Sequence, residues 1–154
     1  MNGKQSILNI AKTTITTESK AIANLANLLT DDFADAIQLI YNSKGRVIIT
    51  GIGKSAIIAN KIVATLNSTG TPAVFMHAAD AIHGDLGLIL KDDVVVCISK
   101  SGNTPEIKVL VQLIKNGPNS MIAITANEES FLGKQADYVL NSYVEKEACP
   151  NNLA

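Results

Sequence analysis

The chain has 154 residues, 13 basic against 14 acidic, a net charge of −1 and 47% hydrophobic residues. That is one domain's length with enough apolar content for a core, and it lacks the basic excess of a nucleic-acid binder. No apolar run approaches 18 residues and no apolar leader follows Met1, so the expectation is a cytoplasmic protein with no membrane and no nucleic-acid partner.

In chain order, apolar residues at Ile7, Leu8, Ala11, Ile15, Ile22, Leu25, Ala26 and Leu29 recur at helical spacing and predict a helix from about Lys4 to Leu29. Thr30 and Asp31 are good caps for a second helix running through Ile37 and Ile40. Asn42 to Gly45 is a turn. Strands and helices then alternate. Strands are expected at Arg46–Thr50, Pro72–Met76, Asp93–Ile98, Ser120–Thr125 and Tyr138–Leu140, and helices at Lys54–Leu66 and Pro105–Lys115. The strands show no in–out alternation, so both faces are covered, and the pattern reads as α/β with a parallel sheet between helical layers. Cys97 sits within an apolar strand and reads as a buried thiol. Cys97 and Cys149 have no metal or redox spacing.

In such a sheet ligands sit at the carboxyl ends of the strands, and four polar segments fall there. Gly51-Ile-Gly-Lys-Ser55 is a strand-to-helix turn whose N–H groups can face an anion, although a tight turn with a solvated lysine explains it equally well. It is not a P-loop, because Ile48 stands where that motif needs glycine. Ser99-Lys-Ser-Gly-Asn-Thr-Pro-Glu106 places three hydroxyls, Ser99, Ser101 and Thr104, before a helix, with Gly102 to let the backbone curl. No aspartate lies among them. A helix cap uses one hydroxyl, and three together predict a phosphate site. In His77 to Gly87, His83 before Gly84 and Asp85 reads as an imidazole steadied by a carboxylate and able to exchange protons, or as a helix cap. The residues have no clear metal-ligand spacing. Glu145 and Glu147 follow the last strand, where a solvated acidic loop is the plainer reading.

Together and in this order, GIGKS, HGDLG, SKSGNTPE and EKEACPNNLA resemble the sugar isomerase (SIS) family over nearly the whole chain, and within it the arabinose-5-phosphate isomerase branch. Ile52 and Ala56 depart from the commoner Met and Gly. The resemblance implies a three-layer αβα sandwich with a five-stranded parallel sheet in flavodoxin-like order, assembled as a tetramer, a dimer of dimers. It implies residues 1–154 as a single SIS domain lacking a C-terminal helix with a further site histidine, and without the pair of regulatory domains common in the branch.

The implied reaction interconverts D-ribulose 5-phosphate and D-arabinose 5-phosphate and supplies Kdo synthesis for lipopolysaccharide or capsule. By the same resemblance the functional positions fall on Lys54, His83, Glu106 and Glu147, and substrate binding on Gly53, Ser55, Ser99, Ser101, Gly102 and Thr104. Moving a proton between C2 and C1 through an enediol needs a carboxylate base, a proton shuttle and a cation. Glu147 or Glu106 fits the first, His83 the second and Lys54 the third, with Glu147 the expected base. The route requires no metal or organic cofactor. Another SIS isomerase such as a phosphoheptose isomerase, or a phosphosugar-sensing module without catalysis, is the alternative. A mere sensor has no use for Lys54, His83 and Glu147.

Overall fold

The computed structural model describes residues 3–151. Its five strands, β1 (Val47–Gly51), β2 (Ala73–His77), β3 (Val94–Ile98), β4 (Met121–Thr125) and β5 (Tyr138–Asn141), form one sheet. All neighbouring pairs are parallel, in the order β2-β1-β3-β4-β5. The helices are α1 (Gly3–Leu25), α2 (Asp31–Asn42), α3 (Lys54–Ser68), α4 (Ala78–Ile82), α5 (Pro105–Lys115) and α6 (Phe131–Gln135).

The continuous apolar runs have a simple cause. Every residue of β1 and β3 is buried, and successive side chains enter different layers. Ile48, Val95 and Cys97 pack with α4, α5 and α6 through Ala78, Ile107, Leu110 and Leu132. Val47, Ile49, Val94 and Val96 pack on the other face against Ala36 of α2 and Ala59 and Val63 of α3. The architecture is the three-layer α/β sandwich expected. Burial pushes the Cys97 thiol up to about 12, in keeping with an inert core cysteine. At the sheet's edge, Asp32 of α2 accepts a hydrogen bond from the Val139 N–H at 2.8 Å, which blunts the outer strand.

The expected first helix overruns. Regular helix stops at Leu25, after which Ala26, Asn27 and Leu28 donate to carbonyls three residues back and close the end as turns. The three short segments that were not anticipated are α4, a 3₁₀ turn at Asp85–Leu88, and α6. Each has five residues or fewer, too short for a periodic signal. Helix α1 buries none of its 23 residues against the rest of the chain.

The strand order reverses at β1. The chain steps outward to β2, then returns to place β3 on the other side of β1. The crevice between the carboxyl ends of β1 and β3 is therefore the switch point at which such sheets bind ligands. β1 runs into Gly51–Ser55 and β3 into Ser99–Glu106.

Candidate functional site

A cavity of about 450 Å³ opens at this crevice. Ser55, Ser99, Ser101 and Thr104 line it, with Ile52, Lys100, Ala126, Tyr143 and Val144. Among the described residues no acidic side chain lines it. All four hydroxyls picked out as phosphate ligands thus share one site. Gly53, also expected at the site, caps α3 with φ 58° and is exposed, a backbone conformation that glycine adopts without cost.

The turn after β3 is built to leave donors available. Ser99 is only 4% exposed. The Gly102 N–H donates to Ser99 Oγ at 3.1 Å and the Asn103 N–H to Ser101 Oγ at 3.3 Å. Each oxygen is held as an acceptor, which leaves its O–H to donate elsewhere. Gly102 has φ 63°, and a Cβ there would lie 2.0 Å from Ser130 Oγ. The turn therefore needs glycine for both conformation and space.

Thr104 is the N-cap of α5, yet its side chain makes no capping bond. Its buried Oγ1 has no hydrogen-bond partner. A threonine at this position ordinarily satisfies the helix's first N–H groups. Here the hydroxyl and the unfilled N–H groups of the first turn remain for a ligand, beside a favourable helix dipole.

The residues expected to do chemistry are more dispersed. Lys54 opens α3 beside Ser55, and its side chain is exposed. Glu106 lies in the first turn of α5, half-buried. His83 ends α4 and is exposed. None of these three lines the hydroxyl cavity. The expected carboxylate support for His83 is not seen: among the described residues its imidazole makes no hydrogen bond to Asp85. The histidine with a nearby acid is His77, whose Nδ1 is 3.8 Å from Asp80 Oδ2, too far for a hydrogen bond. The described residues hold no group of three or more His, Cys, Asp or Glu placed to bind a metal.

Glu147 lies in a second cavity of about 240 Å³, lined also by Lys100, Val144, Cys149 and residues of α1. Lys100 and Val144 line both cavities, so the two adjoin. Glu147 is ion-paired to the Lys100 ammonium. Lys100 and Tyr143 were not anticipated as site residues. Lys100 had a signal in its place between Ser99 and Ser101. Tyr143, after β5, had none.

The sequence matches the SIS domain family over residues 39–154. It is 47% identical to arabinose 5-phosphate isomerase KdsD of Pseudomonas aeruginosa, over 100% of this chain and 48% of that protein. It is 46% identical to arabinose 5-phosphate isomerase KpsF of Escherichia coli O6:H1 strain CFT073, over 96% of this chain and 46% of that one. The chain thus spans about half the length of these curated relatives. A solved E. coli CFT073 protein in complex with arabinose 5-phosphate superposes with a TM-score of 0.93 at 38% identity, covering 100% of this chain and 81% of that one. With the sheet order, the serine turn at its switch point and these likenesses in agreement, the chain belongs to the SIS domain family.

Proposed function

We propose that this domain interconverts D-ribulose 5-phosphate and D-arabinose 5-phosphate, supplying Kdo synthesis for lipopolysaccharide or capsule. The observation that carries the reading is the unpartnered, buried Thr104 hydroxyl beside Ser55, Ser99 and Ser101. These hydroxyl donors, with the Lys100 cation beside them and no carboxylate among the described lining residues, suit a phosphate. Relatives over the same span are named for this isomerisation, and the superposed E. coli structure is a complex with arabinose 5-phosphate.

The substrate's shape accounts for the two cavities. Its phosphate is on C5 and the reacting carbons are C1 and C2, at the opposite end. A base therefore belongs beside the phosphate cavity, not inside it, and Glu147 is so placed. In the proposed mechanism the phosphate sits on Ser55, Ser99, Ser101 and Thr104, and Gly53 and Gly102 shape the loops. Glu147 moves the proton between C2 and C1 through the enediol. His83 relays protons to the oxygens, Lys54 offsets the enediolate charge, and Glu106 is the alternative base. A cytoplasmic location is part of the proposal, in keeping with a pentose phosphate substrate. Among the described residues no helix is long and apolar enough to cross a membrane.

Phosphate contacts persist from ground state to transition state, so they act as uniform binding. Ser101→Ala is expected to raise KM for the phosphosugar about tenfold or more, since a hydrogen bond to a charged group contributes about 1.5–3 kcal/mol, with kcat changed much less. A coupled assay for ribulose 5-phosphate formation checks this, and an unchanged KM contradicts the phosphate assignment. A variant and wild type that bind the phosphosugar without converting it point to a sensing module instead.

The proposed assembly is a homotetramer, a dimer of dimers. Helix α1 exposes Ile7, Leu8, Ile10, Ile15 and Ile22, each more than half accessible, and apolar surface on that scale favours burial between copies. Light scattering at micromolar concentration is expected to give four times the chain mass. A monomer contradicts the assembly.

A further inference from the structure

Lys100 lies inside the serine turn, yet the mechanism above gives it no part. It lines the hydroxyl cavity and it lines the cavity of Glu147, to which its ammonium is ion-paired. The Lys100 side chain is 59% exposed and that of Glu147 15%. The cation is therefore the mobile partner and the carboxylate the fixed one. A lysine carries its charge on a flexible four-carbon stem without a fixed donor geometry, so it changes partners while the backbone stays still.

Two anionic positions then compete for one cation. A bound phosphate brings about −1.5 to −2 charges into a cavity whose lining offers hydroxyls and, among the described residues, no carboxylate. Glu147 offers a single charge. At comparable distance Coulomb attraction favours the phosphate by up to about a factor of two. We infer that Lys100 is a positioning residue that transfers from Glu147 to the phosphate of the bound ligand, so that filling the hydroxyl cavity loosens its hold on the neighbouring carboxylate. While the site is empty, Lys100 is paired with Glu147. Once phosphate is seated, that pair gives way to one between Lys100 and the phosphate. The inference rests on the phosphate reading proposed above. Among the described residues, Glu18, Lys146 and Cys149 also line the Glu147 cavity, and none of them lines the hydroxyl cavity.

The test needs no turnover. Protein labelled with ¹³C at glutamate Cδ is titrated with inorganic phosphate and followed by NMR, with the Glu147 signal assigned by its loss in Glu147→Gln. In wild type that signal is expected to move as phosphate binds. In Lys100→Met it is expected to start away from the wild-type position and stay there, while the phosphate dissociation constant rises about tenfold. Lys100→Arg, which keeps the charge, is expected to restore the movement. Phosphate binding with an unmoved Glu147 signal in wild type overturns the inference alone, as does a Lys100→Met titration that follows wild type. Failure of wild type to bind phosphate at all overturns the phosphate reading as well.

Discussion

Replacing Glu147 with Gln is expected to lower kcat for phosphosugar isomerisation by about 10²–10⁴, the usual effect of losing a general base, with KM nearly unchanged. Gln keeps the size and much of the hydrogen-bonding reach of Glu, so it can still accept from Lys100 while lacking a basic carboxylate. Substrate affinity is expected to persist because the four hydroxyls proposed to hold the phosphate line the adjoining cavity. Exchange of solvent deuterium into the C2 position reports the same proton transfer and is expected to fall in parallel. The matching change at Glu106 separates the two carboxylates. If Glu106→Gln abolishes exchange and Glu147→Gln spares it, their roles are reversed. If neither matters, the base lies elsewhere.

The second large effect concerns stability, at the opposite edge of the sheet. Asp93 is 3% exposed at the start of β3. It accepts from the Arg46 backbone N–H at 2.7 Å, from Arg46 Nη2 at 2.7 Å and from the Leu90 N–H at 2.9 Å. These bonds tie the entrance of β1 to that of β3. Burial opposes ionisation of Asp93. The hydrogen bonds from the Arg46 side chain and backbone and from the Leu90 backbone, together with the Arg46 charge, outweigh it and hold the carboxyl below its ordinary range.

Asp93→Ala strands these donors and leaves the Arg46 guanidinium without a counter-charge, held only by the Leu88 carbonyl. A fully buried pair broken in this way costs about 3–5 kcal/mol. Arg46 retains 31% side-chain exposure, so about 2–4 kcal/mol is expected here, or a Tm lower by roughly 10 °C. A folded carboxyl held below its unfolded value stabilises above the unfolded pKa, near 4, and that contribution is lost as pH falls through the folded one. Wild type is therefore expected to lose stability below about pH 4, and Asp93→Ala to show a shallower loss. Urea unfolding at pH 7 and at pH 3 checks both. A variant as stable as wild type at pH 7 contradicts the role given to the pair.

The central strands were legible because a parallel sheet covered on both faces leaves a specific trace. In Val94–Ile98 and Val47–Gly51 both sets of alternating side chains enter a core, so Val94–Ile98 runs apolar without interruption and Val47–Gly51 is broken only by Thr50 before its terminal glycine. The serine turn stood out because Ser99, Ser101 and Thr104 exceed what one helix cap can use, and in the structure Thr104 makes no capping bond. Helices α4 and α6 were hidden by their length, and the end of α1 by a periodic pattern that outlasts the helix.

The proposed catalytic residues left weaker traces in the sequence than the proposed phosphate site. No spacing rule links Lys100 to Glu147, 47 residues apart, because only the return of the chain after β5 brings them together. Lys54, Glu106 and His83 follow β1, β3 and β2 in the chain, but position along the chain does not tell which way an exposed side chain points.

The most direct test is to incubate the purified protein with D-arabinose 5-phosphate in deuterium oxide and follow the sugar by proton NMR. The expected result is D-ribulose 5-phosphate with loss of the C2 proton signal from the remaining arabinose 5-phosphate. Binding of arabinose 5-phosphate with neither ketose formed nor the C2 proton exchanged would contradict it.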